Sequence, residues 1–151
     1  MTGDLTILLA EDDDGHATLI RRNLDRSRLR ARVLRVRDGQ ELLDLFAGGH
    51  PDLQPGTRVL LLLDISMPRV DGVDVLRRLK ADSATRAIPV YMLTTTDNPA
   101  EIDRCFELGC NAYLSKPVVY DALVTAIGRL CQFLEVSQVP GLPERRQNVS
   151  A

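Results

Sequence analysis

Val59-Leu60-Leu61-Leu62-Leu63-Asp64 is the stretch on which the fold turns. Five apolar residues in a row, closed by a carboxylate, suit a strand buried on both faces rather than one half-open to water. Upstream, Leu5 to Ala10 has the same character and runs into four acids, Glu11 to Asp14. Between these two strands, Ala17, Ile20 and Leu24 recur at helical spacing within Gly15–Leu29. Val33–Val36 reads as a strand closed by Asp38-Gly39, Gln40–Ala47 as a helix, and Gly48–Thr57 as a loop. Downstream, Val73, Leu76 and Leu79 predict a helix over Gly72–Ala81. Val90–Leu93 is a fourth strand, and Pro99–Leu108 a helix stopped by Gly109. Ala112–Leu114 is a short fifth strand and Tyr120–Leu134 the last helix. Five strand–helix units at this spacing need crossover connections, hence an α/β fold with a five-stranded parallel sheet and helices on both faces.

Composition narrows the function. The chain has 151 residues, 44% of them hydrophobic, enough for one buried core-forming domain. Its formal charge of −2 exerts no global pull toward nucleic acid or an anionic membrane. The run Val59–Leu63 is the longest unbroken apolar one, far short of the ~20 residues a membrane helix needs. Met1-Thr2-Gly3-Asp4 has no signal-peptide character, and three cysteines without C-x-x-C spacing form neither a disulfide framework nor a zinc site. A cytoplasmic protein is expected.

In parallel α/β sheets the working groups lie past the carboxyl ends of the strands. Here those positions hold Glu11-Asp12-Asp13, Asp64, Thr94 and Lys116. Asp13 or Asp14, ahead of Gly15, reads as a helix N-cap. The remaining carboxylates would repel one another unless a cation joins them, and Mg2+ suits a few carboxylates, a carbonyl and waters. With the Lys116 ammonium and the Thr94 hydroxyl added, the rim suits a phosphoryl group, and Asp64 is the candidate nucleophile. Lys116 is one of two lysines, beside Lys80, in an arginine-rich chain.

Four segments carry a family resemblance: Ile7-Leu8-Leu9-Ala10-Glu11-Asp12-Asp13, Leu62-Leu63-Asp64-Ile65-Ser66-Met67-Pro68 with Asp71-Gly72, Leu93-Thr94-Thr95, and Tyr113-Leu114-Ser115-Lys116-Pro117. In order and spacing they resemble the receiver domain of two-component response regulators, over about residues 5–134. The resemblance implies a flavodoxin-like (βα)5 fold with Asp64 as phosphoacceptor and Glu11 with Asp12 as the metal-binding acids. It implies that the backbone carbonyl of Ser66 completes the Mg2+ site, that Thr94 and Tyr113 form the switch pair, and that Lys116 holds the phosphoryl oxygen. The Lys116–Pro117 bond is expected to be cis. A sensor histidine kinase is the implied donor, and the protein a switch rather than an enzyme, limited to phosphorylating itself and slowly losing the group.

More narrowly, Glu11–Ala17, Ile20-Arg21-Arg22 and Phe133–Val136 running into Leu142-Pro143 resemble single-domain regulators paired with bacterial phytochrome kinases. That group implies a homodimer through the face of the fourth and fifth helices. On this reading residues 1–135 are the receiver and 136–151 a tail or a dimerisation arm carrying Val136, Val139 and Leu142. The receiver resemblance implies that Ser66 and Thr96 occupy positions that tune phosphoryl lifetime, and that Thr95, where many members of the family carry a smaller residue, bears on the inward packing of Tyr113.

Competing classes are a phosphohydrolase with an Asp nucleophile, disfavoured because Ser66 stands where a second acid is wanted, and a phosphorylation-independent adaptor. Neither phosphate-binding glycine motif for nucleotides occurs. Eight arginines between Arg21 and Arg37, without interleaved aromatics and broken by Asp25 and Asp38, read as a solvated helix and strand edge and as a docking surface for an acidic partner rather than for nucleic acid. His16 and His50 read as incidental polar residues, His16 being the one beside the acid cluster. Cys105 and Cys110 read as packing residues.

Overall fold

The computed structural model describes residues 5–95 and 97–144; Thr96 lies outside them. The elements alternate: β1 (Leu5–Ala10), α1 (Asp14–Arg26), β2 (Ala31–Val36), α2 (Gly39–Gly48), β3 (Arg58–Leu63), α3 (Gly72–Ala81), β4 (Val90–Thr94), α4 (Pro99–Leu108), β5 (Ala112–Ser115) and α5 (Tyr120–Glu135). The strands form one parallel sheet in the order β2-β1-β3-β4-β5. This is the flavodoxin-like (βα)5 arrangement that the resemblance implies.

The apolar runs of the central strands are continuous because each strand feeds two cores. Successive side chains point to opposite faces. Leu8, Leu61, Leu63 and Met92 pack with Leu42 of α2, Val75 and Leu76 of α3 and Cys105 of α4. Ile7, Leu9, Leu60, Leu62 and Leu93 pack with Ile20 and Leu24 of α1 and Leu123, Ile127 and Leu130 of α5. All three cysteines are buried, and burial raises each thiol, Cys105 and Cys131 to about 11.

Helix starts follow side-chain caps. Asp13, Asp38, Asp71 and Asn98 each accept a backbone N–H from the first turn of α1, α2, α3 and α4. Gly109 closes α4 in the left-handed conformation, φ 105°. Helix α1 ends at Arg26, three residues before the sequence periodicity does. Ser27 turns extended, its hydroxyl donating to the Leu24 carbonyl at 2.6 Å, while the Arg28 N–H donates to Glu135 Oε1 at 2.8 Å. The freed residues let β2 begin at Ala31 rather than Val33.

Beyond α5, residues 136–144 turn back under the amino ends of the strands. Leu142 N–H donates to the Thr57 carbonyl at 2.8 Å, and Gly56 N–H to the Leu142 carbonyl at 2.9 Å. Gly141 makes an antiparallel bridge with Arg58. Leu142 packs against one core and Val139 against the other, whereas Val136 stands 80% exposed.

Candidate functional site

Strand β3 delivers Asp64 to the carboxyl rim, where its N–H donates to the Ala10 carbonyl at 3.0 Å and continues the β1–β3 pairing by one residue. The side chain is largely buried. Oδ1 accepts from the Ser66 N–H at 3.1 Å, and Oδ2 accepts from Lys116 Nζ at 3.2 Å. Strand β1 ends in Glu11, also buried, whose Oε1 accepts from Lys116 Nζ at 2.5 Å. Asp12 beside it is exposed. One carboxylate oxygen from each of Glu11, Asp12 and Asp64 lies within 4.8 Å of the others.

The electrostatics of this cluster are unbalanced. Of the three carboxylates, Glu11 and Asp64 pair with the buried Lys116 ammonium. Burial, and then hydrogen bonding to Asp64, push the Glu11 carboxyl up to about 8, while Lys116 pulls it the other way. Oxygen ligands held together with surplus negative charge are the donor set of a hard divalent cation, so these residues fit such an ion.

Backbone contacts around Asp64 are tight. Gly72 N–H donates to the Ile65 carbonyl at 2.8 Å, and a Cβ on Gly72 would lie 2.2 Å from the Asp64 carbonyl oxygen. Within the same loop Arg69 adopts φ 70°, its guanidinium 3.3 Å from Asp38, the N-cap of α2. A Cβ on Gly39 would meet the Val70 carbonyl oxygen at 2.1 Å, so glycine at two helix starts lets the 64–71 loop close against the sheet.

Thr94 is fully buried at the end of β4, and its carbonyl accepts from the Lys116 N–H at 2.6 Å. Tyr113 on β5 is half-buried against the α4 side of the core. Its phenol is pushed up to about 12, chiefly by burial and next by Glu101. Thr95 is exposed. The cis expectation for Lys116–Pro117 is corrected: no peptide bond among the described residues is cis. Trans is the X–Pro default by about 0.5–1 kcal/mol, and the Lys116 N–H to Thr94 bond already directs Lys116 into the site.

Two residues of the site escaped sequence reasoning. Arg35 donates from Nε and Nη2 to the Glu11 carbonyl at 2.9 and 2.8 Å, and from Nη1 to Asp14 at 2.7 Å, so one arginine of the basic stretch braces the acidic loop. His16 brings Nδ1 to 3.1 Å from Glu11 Oε1 and 3.4 Å from Lys116 Nζ. Asp13 proves to be the cap, accepting from the His16 N–H at 2.9 Å. His16 follows the cap by one turn of helix, the signal that aims its ring back at the strand end.

The response regulator receiver domain family model matches residues 7–128. The chain belongs to this family. Among curated relatives, the polar-differentiation response regulator DivK of Brucella ovis is 33% identical over 122 residues, 81% of this chain and 92% of DivK. A response regulator receiver domain from Rhodospirillum rubrum superposes with a TM-score of 0.85 at 39% identity, covering 91% of this receiver and 99% of that chain. The Mn2+-bound form of response regulator Rcp1 gives 0.82 at 27%, with 90% and 99% covered. The phosphorylated cyanobacterial phytochrome response regulator RcpA gives 0.81 at 29%, with 90% and 98% covered. Phytochrome response regulators are thus among this receiver's structural neighbours. No helix among the described residues is long and apolar enough to cross a membrane.

Proposed function

We propose that this receiver is a phosphorylation switch that takes a phosphoryl group onto Asp64 from a histidine kinase in the cytoplasm. The observation that carries this reading is the buried Asp64 carboxylate, bonded to Lys116 and set within 4.8 Å of Glu11 and Asp12. An Asp64 carboxylate oxygen attacks phosphorus, the phosphorus–nitrogen bond of the donor phosphohistidine breaks, and its electron pair returns to the imidazole. Glu11, Asp12, Asp64 and the Ser66 carbonyl would hold Mg2+, which neutralises the carboxylates and the incoming phosphoryl oxygens when bound. Lys116 pairs with a phosphoryl oxygen, and the Thr94 hydroxyl donates to another. Drawing Thr94 toward the phosphoryl group frees space that the Tyr113 ring takes up, and this pair transmits the change to the α4–β5–α5 face. Such chemistry makes the protein a phosphoacceptor that turns over only its own phosphate, without an external substrate.

The experiment is intact mass after incubation with acetyl phosphate and Mg2+, beside Asp64→Asn and EDTA controls. One phosphoryl adduct requiring both Asp64 and Mg2+ is expected. An adduct that survives Asp64→Asn refutes the assignment. Two finer readings belong to the same proposal. A bacterial phytochrome kinase as donor is supported by the likeness to RcpA, and phosphotransfer from such a kinase tests it. A homodimer through the α4 and α5 face is supported by exposed Phe106, Val118, Val119 and Tyr120; residues 136–144 pair with Gly56 and Thr57 of their own chain, which favours the tail over the arm for 136–151, and 145–151 lie outside the described residues. Light scattering with and without a beryllofluoride mimic tests that face.

A further inference from the structure

Residues 11–13, between β1 and α1, carry two acids of the candidate cation site. The Glu11 N–H donates to the Val36 carbonyl at 3.1 Å, extending the pairing with β2 by one residue. From Asp13 onward the helix takes over: the Asp13 carbonyl accepts from the Ala17 N–H and its carboxylate from the His16 N–H, both at 2.9 Å. Between these anchors stands Asp12, exposed, and among the described residues no protein group hydrogen-bonds its carboxylate. The backbone on either side is therefore what keeps that carboxylate within 4.8 Å of Glu11 and Asp64. Arg35 grips this backbone. Strand β2 sets it opposite Leu9, on the sheet face that α1 covers, and its side chain is only 16% exposed. Nε and Nη2 share the Glu11 carbonyl at 2.9 and 2.8 Å, while Nη1 donates to Asp14 Oδ1 at 2.7 Å. The Glu11 carbonyl belongs to the peptide plane that leads into Asp12, so fixing it fixes the direction in which Asp12 leaves. These bonds hold whether or not the Glu11 side chain carries a proton.

We propose that Arg35 is a positioning residue for the cation site: by clamping the Glu11–Asp12 peptide to the first turn of α1, it sets the affinity for a divalent ion that it does not itself touch. This inference rests on the divalent-cation reading of Glu11, Asp12 and Asp64 given above. A guanidinium has the planar fork that such a clamp needs, and an ammonium, a compact point charge, does not. The sign of the effect separates positioning from charge. A positive group beside the site repels a cation, so by Coulomb attraction alone its removal tightens binding. Loss of positioning loosens it, and removing an outer partner that orients a ligand weakens metal affinity by about 10–100-fold. Arg37 is the natural charge control. It also reaches Asp14, at 3.0 Å, but is 63% exposed and makes no bond to the Glu11 carbonyl among the described residues.

The test is Mn2+ binding by the full chain, read from the electron paramagnetic resonance of the free ion, with Asp12→Asn as the ligand control. Arg35→Gln should bind about tenfold or more weakly than wild type. Arg35→Lys should stay weak, because charge alone does not rebuild the fork. Arg37→Gln should bind no more weakly than wild type. A second readout needs no metal: in EDTA, nitrogen-15 relaxation of Arg35→Gln should show the Asp12 amide loosening from a rigid order parameter of about 0.85 to below about 0.6, with Ile20 and Leu24 in α1 unchanged. Arg35→Gln binding Mn2+ as tightly as wild type, or Arg35→Lys recovering wild-type affinity, while Asp12→Asn weakens it, overturns the inference alone. So does a loss of order that spreads through α1, or a failure of both Arg35 variants to fold, since Arg35 is then a brace of the fold only. If wild type takes up no Mn2+, or Asp12→Asn binds it equally well, the cation reading falls and takes the inference with it.

Discussion

Replacing Lys116 by methionine should make the protein less stable without metal and more responsive to metal. The ammonium is almost wholly buried between Glu11 and Asp64, at 2.5 and 3.2 Å. Removing one partner of a buried ion pair costs about 3–5 kcal/mol. Glu11 moderates the loss, because a carboxyl pushed up to about 8 takes a proton rather than staying charged, which selects the lower end, about 3 kcal/mol. In a chain of this size 1 kcal/mol moves Tm by about 2–4 °C, so Lys116→Met in EDTA should melt about 6–12 °C below wild type. Mg2+ acts in the opposite sense. Removing a positive charge beside the site should tighten its Kd at least about tenfold. At a concentration 100 times the wild-type Kd, the ion stabilises wild type by about 2.7 kcal/mol and the variant by about 4.1 kcal/mol. The gap in Tm should therefore narrow by about 3–6 °C. Differential scanning calorimetry in EDTA and in Mg2+ reads both numbers. A variant as stable as wild type in EDTA, or one with a smaller Mg2+ increment, would refute the picture of an ammonium holding apart carboxylates that await a cation.

Four further outcomes follow from the structure. The raised Glu11 pKa, about 8 against 4.5 unfolded, stabilises the metal-free fold fully below pH 4.5 and is lost as pH rises through about 8. Urea midpoints in EDTA should fall between about pH 5 and pH 8.5, and Glu11→Gln should flatten that slope. Gly72→Ala places a methyl 2.2 Å from the Asp64 carbonyl and should cost about 3 kcal/mol or more together with much of the phosphorylation rate. Gly128→Ala in α5 meets nothing within 4 Å and should gain about 0.5–1 kcal/mol, both read by chemical denaturation. Leu142→Ala removes a partly buried anchor that packs on the core beside the Gly141–Arg58 bridge; a loss of about 1–2 kcal/mol is expected by the same assay.

The sheet was legible because its central strands are unambiguous. Val59–Leu63 and Val90–Leu93 are apolar throughout and Leu5–Ala10 is broken only by Thr6, and a sheet covered on both faces buries such runs at this length. Convergence of Glu11, Asp64, Thr94 and Lys116 then follows from strand ends alone. What sequence periodicity could not reveal depends on single side chains finding distant partners. Ser27 ends α1 early through its own hydroxyl and the Glu135 carboxylate. Arg35 sits in a run of arginines that looks uniformly solvated, yet alone among them reaches the Glu11 carbonyl. His16 is on the first turn of a polar helix face and reaches the site because Asp13 sets the entry of that helix. The return of residues 136–144 is carried by backbone pairing with Gly56 and Thr57, to which side-chain patterning is blind.

The burial of all three thiols has a practical consequence for watching the switch at work. Cys105, Cys110 and Cys131 are at most 7% exposed, and their raised pKa values leave little thiolate at neutral pH. The native chain should be nearly silent to maleimides, so one cysteine introduced at an exposed position such as Glu107 on α4 becomes the single labelled site without deleting any native residue. A fluorophore or spin label there reports on the α4 surface as phosphate arrives at Asp64, and unlabelled wild type treated in parallel supplies the background.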